Sequence, residues 1–261
     1  MRYAPGAVGK SAVLDTDLHA ELRDHPVIRQ ARARFGATFT TETQDLIQRY
    51  TYLFGVWEPH LTQWLERRLK PGDAFVDVGA NIGYYSLLAS HLVGESGKVV
   101  SIEASPRFHS VLVDEARGQQ LHQPARRQRR DLRSGRGADL HPRELAQHGR
   151  EQHRPVRRRS GVHLRGTSPA LHDVLSAEEI AKARVIKTDV EGAEGAAVRG
   201  LEPVLDELCP DVELAIEVTS QRMAELGQSA DELLEAFTKR GFNVYRLAND
   251  YAAGSYHSST P

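Results

Sequence analysis

"AFVDVGANIGYYSLLASHL", Ala74 to Leu92, contains the change of rhythm on which the reading of the whole chain depends. Phe75-Val76-Asp77-Val78 is a short apolar run of strand type, Gly79 to Gly83 is a glycine-bounded turn, and Tyr84 to Leu92 reads as a helix. Glycine at such a turn permits a tight passage from strand to helix and lets a ligand approach the backbone closely. The spacing is Gly-x-x-x-Gly, not the Gly-x-Gly-x-x-Gly of a dinucleotide site. Asp77 adds an acceptor beside the turn, which repels a diphosphate and suits the positively charged amino end of an amino-acid-like cofactor. Taken alone, a glycine turn after a strand reads equally well as plain structure.

The unit repeats downstream. Lys98 to Ile102 predicts a strand, Ser105 an N-cap, Pro106 a first-turn proline and Phe108 to Ala116 a helix. Later, "ARVIKTDV" reads as a strand and Ala193 to Gly200 as a short helix. "VELAIEV" places Val212, Leu214, Ile216 and Val218 on one strand face. Asp231 to Arg240 reads as a helix stopped by Gly241, and "FNVYRL", residues 242–247, as a last strand. Upstream, Thr41 to Leu69 is helical in pattern, with Leu61, Trp64, Leu65 and Leu69 on one face before Pro71-Gly72 ends it. Residues 1–40 are polar and weakly patterned, and are expected to form a loosely packed lead-in to a domain spanning 41–261. Alternating strands and helices predict an α/β fold, a mostly parallel twisted sheet with helices on both faces. Ligands of such sheets lie beyond the carboxyl ends of the strands, beside the switch in strand order.

Two further groups belong at that edge. Glu103 ends the second strand, where an acidic side chain can accept both hydroxyl protons of a ribose. With Asp77 it points to an adenosine lacking a diphosphate, which favours S-adenosyl-L-methionine over NAD. In "VIKTDVEGAEGAAVRG", Asp189, Glu191 and Glu194 crowd the passage from strand to helix. One of them could cap the helix, but three carboxylates exceed what capping requires. Their field favours a sulfonium cation, and one could orient or deprotonate a substrate hydroxyl.

"PGDAFVDVGANIGYYSLLAS", "GKVVSIEASP" and "VIKTDVEGAE" together resemble the FkbM-type S-adenosylmethionine-dependent methyltransferases, with weaker likeness in "GVWEPHLTQWL" and "ELAIEV". The resemblance runs from about Thr41 to Leu247, one block excepted. It implies a Rossmann-like class I methyltransferase and methyl transfer, typically to a hydroxyl oxygen of a sugar, polyketide or other small metabolite. Carried over by residue, it gives Asp77, Gly79, Asn81 and Gly83 to the cofactor turn and Glu103 to the ribose. Asp189 and Glu191 become the acids facing cofactor and acceptor, and the candidate catalytic bases. His60 and His172 are alternatives for the base. The family often carries an aliphatic residue where this chain has Thr188. The 12 histidines show no metal-binding spacing, and no metal is expected.

The excepted block lies at about 118–165, where the family's third strand and adenine-side loop belong. Gly118 to Arg165 carries 13 arginines against four acidic residues, although the whole chain has a net charge of −1. All six lysines lie outside it, and no strand-like apolar run lies within it. It has too little apolar surface to fold, so it is expected to be disordered or frame-shifted and to interrupt the central strand region. "EQHRPVRR", residues 151–158, can be encoded as GAA CAG CAT CGT CCC GTA CGA CGG, which read one base later gives N-S-I-V-P-Y-D. "DLHPREL", residues 139–145, likewise becomes the strand pattern T-F-T-L-E-N. Sequencing the encoding DNA across codons 117–167 is expected to show such patterns one base on; stop codons there would refute the frame shift.

Two other readings stand beside this one. The arginines could bind RNA through its phosphates, making the chain an RNA-binding protein or an RNA methyltransferase, although the block has no aromatic residue for base stacking. The domain could also be a degenerate, non-catalytic scaffold. One cysteine, Cys209, excludes an internal disulfide. With neither a signal pattern nor a bilayer-length apolar run, a cytoplasmic protein acting on a small-molecule acceptor is expected, without membrane or nucleic-acid partners.

Overall fold

The computed structural model describes residues 18–118, 175–190, 200, 202–225, 227–249, 251 and 256, and a two-residue strand at 125–126. The described residues begin with α1 (Leu18–Asp24), the hairpin strands β1 (Ile28–Arg32) and β2 (Thr38–Glu42), α2 (Leu46–Phe54) and α3 (Pro59–Arg68). There follow β3 (Ala74–Val78), α4 (Tyr84–Val93), β4 (Lys98–Ile102), α5 (Pro106–Gly118) and β5 (Ala125–Arg126). After α6 (Ala177–Lys182) come β6 (Ala183–Thr188), a 3-10 turn (Glu202–Glu207), β7 (Glu213–Ile216), α7 (Ser220–Glu225) and α8 (Ala230–Thr238).

Five strands form one sheet in the order β5-β4-β3-β6-β7, every neighbouring pair parallel. The chain builds outward from β3 through β4 to β5, then returns to lay β6 on the other side of β3. That reversal makes the carboxyl end of β3 the switch point, the place where ligands lie in open α/β sheets. Strand alternation divides the core into two clusters. Phe75, Val99 and Val185 face α4 and the N-terminal layer, while Val76, Val78, Val100 and Ile186 face Ile180, Leu205, Met223 and Phe237. Burying each such side chain is worth about 1.5–3 kcal/mol before chain entropy is charged against it. Because α4 lies between the sheet and the N-terminal elements, it is buried nearly all round, and Leu87, Leu88 and Ala89 are all closed to solvent.

The N-terminal hairpin belongs to this packing. Phe39 is wholly buried, and Thr40 N–H donates to Glu115 Oε1 of α5 at 2.8 Å. Its core residues escape a hydropathy reading because threonines carry much of the burial. Thr41 and Thr43 are closed to solvent, their hydroxyls donating to the Arg29 and Leu22 carbonyls at 2.8 and 2.7 Å. The single helical stretch expected over 41–69 is instead the end of β2 followed by two helices. Gly55, at φ +72°, ends α2, and Pro59 starts α3.

The expected last strand is also corrected. Residues 242–247 have no ladder partner among the described residues; Phe242 packs on Phe237, while Val244, Tyr245 and Leu247 are exposed. Alternation reports which residues can share a face, not whether a sheet edge is available to them. In the arginine block, β5 pairs Ala125 and Arg126 with Val100 and Ser101, a ladder that the absence of an apolar run did not foretell. Two residues of backbone pairing need no apolar side chains. The rest of the block, the helix expected at Ala193 to Gly200 except Gly200 itself, Glu191, Glu194 and His172 all lie outside the described residues. Among the described residues, no helix is long and apolar enough to cross a membrane.

Candidate active site

The turn after β3 is built by backbone geometry. Gly79 and Gly83 sit at φ +78° and +88°, and Asn81 at +51°, a left-handed conformation that asparagine tolerates better than most residues. A Cβ on Gly79 would fall 1.7 Å from the carbonyl oxygen of Asp189, and one on Gly83 would fall 2.3 Å from Leu112 Cδ1. The glycines therefore admit β6 and α5 to the turn as well as allowing its shape.

The amides of the turn are occupied from within. Gly79 and Ala80 both donate to the Ile102 carbonyl, at 2.9 and 3.1 Å, and Gly83 donates to Ala80 at 2.8 Å. Ile82 N–H is taken by Asn81 Oδ1 at 2.8 Å. Asn81 N–H goes to Glu103 Oε2 at 2.7 Å. A diphosphate is held by free amides at such a turn; this turn has spent them on itself.

Glu103 thus has two tasks. Its second oxygen accepts from Ser105 N–H at 2.7 Å, so one carboxylate fixes both the glycine turn and the start of α5. Burial pushes its pKa up, and the two backbone amides hold it down against that. Each oxygen keeps a lone pair for a ligand hydroxyl.

Asp77 takes a place that the sequence did not suggest. Its carboxylate is closed to solvent on the α4 side of the sheet, accepting from Ser86 Oγ at 2.6 Å and facing Lys187 Nζ at 3.4 Å. Lys187, opposite it in register, is buried and also stands 3.5 Å from Asp189 Oδ2 and 5.0 Å from the centre of the Tyr85 ring. Burial works against its charge, but Asp77, Asp189 and Glu58 outweigh that and raise its pKa. Asp189 is half-buried, anchored by its N–H to the Val78 carbonyl at 3.0 Å. The glycine turn and the acid motif are therefore one unit, joined at backbone and by Lys187.

Glu58 lies just before α3 at φ +38°, an uncommon conformation for a residue with a side chain. Its nearly buried carboxylate accepts from Tyr85 Oη at 2.5 Å, Asn249 Nδ2 at 2.7 Å and Tyr251 Oη at 3.2 Å. Tyr251 stacks on Trp57, so the C-terminal segment is drawn over the N-terminal layer. Glu217, just past β7, is exposed and stands beside Asp189 on the neighbouring strand, its N–H donating to the Thr188 carbonyl at 2.9 Å. Sequence reasoning missed Glu58, Lys187 and Glu217. A lysine inside an apolar strand was the one legible signal among them, since burying a cation demands a partner. His60 stands half-buried in the first turn of α3, two residues after Glu58. Thr188 points its hydroxyl into the opposite, apolar layer with no hydrogen-bond partner among the described residues, where an aliphatic side chain would serve as well.

A parallel sheet ordered 3-2-1-4-5 from its first strand, with a glycine turn and Glu103 at its switch point, has the Rossmann-like architecture of a class I methyltransferase. Residues 77–244 match the methyltransferase FkbM domain, and the chain belongs to that family. No curated protein matches the chain. Among solved structures, a SAM-dependent methyltransferase from Aquifex aeolicus is 17% identical, with 78% of this chain and 87% of that one covered at a TM-score of 0.43. Aeropyrum pernix fibrillarin with natively bound S-adenosyl-L-methionine is 13% identical over 86% and 77%, TM-score 0.41. A Geobacter sulfurreducens SAM-dependent methyltransferase in complex with S-adenosyl-L-homocysteine is 16% identical over 77% and 70%, TM-score 0.41. These likenesses are distant, and the strand order and site geometry carry the assignment of the fold.

Proposed function

We propose that this methyltransferase moves a methyl group from S-adenosyl-L-methionine to a hydroxyl oxygen of a small metabolite or sugar, with Asp189 receiving the hydroxyl proton. The observation that carries the reading is the contact of Gly79 with Asp189, which sets the cofactor turn and an ionisable acid side by side at the switch point. When bound, the cofactor supplies a methyl group on a sulfonium. Gly79, Asn81 and Gly83 shape the floor on which it rests, and Glu103 offers its remaining lone pairs to the ribose. Asp77 acts at one remove, by holding Lys187 against Asp189. Among the described residues of this network, the buried carboxylates Asp77 and Glu58 outnumber the Lys187 cation, so their field favours a positively charged ligand. Much of the acceleration comes from holding the acceptor oxygen behind the methyl carbon, which the fixed turn and the fixed acid do together. Glu191 follows in the same motif and is the second candidate base.

The full chain, given methyl-labelled S-adenosylmethionine and a panel of hydroxylated sugars and metabolites, should label an acceptor oxygen. Asp189→Asn should lower kcat by about 10²-fold or more while leaving cofactor affinity within a few-fold. Labelling confined to amines, or an unchanged kcat in the variant, would overturn the assignment.

A further inference from the structure

β6 and β7 run parallel, and Thr188–Ile216 is their last paired position. Glu217 N–H then donates to the Thr188 carbonyl at 2.9 Å, as Asp189 N–H does to Val78 at 3.0 Å. Residues 189 and 217 are therefore the first beyond the ladder on adjacent parallel strands, which sets their carboxyl groups side by side at the sheet edge. Two carboxyl groups so placed repel each other when both are ionised, and holding one proton between them relieves that repulsion, since an ionised carboxylate has no donor of its own. Asp189 touches the cofactor turn, and Glu217 reaches solvent.

We propose that Asp189 and Glu217 act as one dyad holding a single proton, and that this dyad, rather than Asp189 alone, takes the acceptor's proton during methyl transfer. The proposal rests on the methyl-transfer reading of the site. The acceptor oxygen bonds to the methyl carbon as the carbon–sulfur bond breaks, its electron pair staying on sulfur. The hydroxyl proton passes to Asp189, so the dyad goes from one negative charge to none while the sulfonium charge disappears. Attraction between the dyad and the cofactor ends with the transfer, which favours product release, and the exposed Glu217 returns the extra proton to water.

The surroundings fit a dyad that keeps its proton at neutral pH. From β6 the dyad faces Lys187, which Asp77 of β3 holds from its other side, from the segment before α3 Glu58, from α4 Tyr85, and from the C-terminal segment Tyr251. The hydrogen bond to Asp189, then burial, then the like charges of Asp189 and Glu58 raise the Glu217 pKa to about 9, against the opposing pull of Lys187.

Glu217→Gln tests this, because glutamine keeps a donor to Asp189 and fixes the dyad in its singly charged form. In the ligand-free full chain, one glutamate side-chain 13C resonance should titrate above pH 7 and be missing from the variant. Calorimetry would then compare S-adenosylmethionine with S-adenosylhomocysteine between pH 6.5 and 9.5, the ratio cancelling titration of the amino group both ligands share. Wild type should gain about tenfold in preference for the sulfonium as the dyad loses its proton, and the variant should stay flat. A flat wild-type ratio, or no glutamate titrating above pH 7, overturns the dyad alone. Failure of both ligands to bind at any pH overturns the cofactor reading, and the dyad's role in transfer with it.

Discussion

Gly79→Ala is expected to lose about 3–5 kcal/mol of folding stability, among the largest losses any single methyl group could cause in this chain. The added carbon would lie 1.7 Å from the Asp189 carbonyl oxygen and 2.7 Å from its carbon, a collision with backbone rather than with a side chain able to turn aside. Neither partner is free to retreat. Gly79 is tied to Ile102 at 2.9 Å, and Asp189 to Val78 at 3.0 Å. Conformational strain adds to the collision, since φ is +78°. Gly36→Ala is the matched control. It has a similar positive φ of +103° with no atom within 4 Å of the added carbon, and should lose only about 1–2 kcal/mol. Urea denaturation of the two variants separates strain from collision; equal losses would show that β6 does not abut the turn.

Lys187→Met should cost about 3–5 kcal/mol, because it leaves the Asp77 carboxylate buried without its cation. The double variant Asp77→Asn/Lys187→Met should recover much of that loss, the remaining Ser86 hydrogen bond being one a neutral amide can also accept. A double variant no better than the single one would mean that Lys187 matters through packing rather than charge. The sign with pH follows from the raised lysine pKa. Stability from the ion pair is complete below the ordinary lysine range and is lost as pH climbs through the higher folded value. Wild type should therefore lose stability at strongly alkaline pH, and the charge-free double variant should not lose this part of it.

The site was only half legible in the sequence. Gly79, Asn81, Gly83, Glu103 and Asp189 announce themselves because each stands just past a strand or in the turn that follows one, where periodicity breaks and a polar or glycine residue interrupts an apolar run. Asp77 looked like one of them but turned inward, since alternation along β3 puts it on the same face as Phe75, beneath α4. Glu58 and Glu217 carried no local signal. Each is a lone acidic residue beside apolar neighbours, Trp57 for the first and Ile216 and Val218 for the second, made distinctive only by partners 27 and 28 positions away, Tyr85 and Asp189. The N-terminal hairpin was hidden by composition, its buried threonines reading as surface until their hydroxyls are seen to serve backbone carbonyls.

By itself the sequence determined the alternation of strands and helices, the turn at residues 79–83 and the foreign character of the arginine block, all of which follow from local periodicity, glycine spacing and composition. Tertiary structure alone decided which carboxylates share a space. Strand order set β6 against β3, so that Asp77, Lys187 and Asp189 meet, and the pairing of β7 with β6 brought Glu217 beside them. The electrostatics of a site depend on distances across the sheet, and a linear sequence does not contain those distances until the chain has chosen its neighbours.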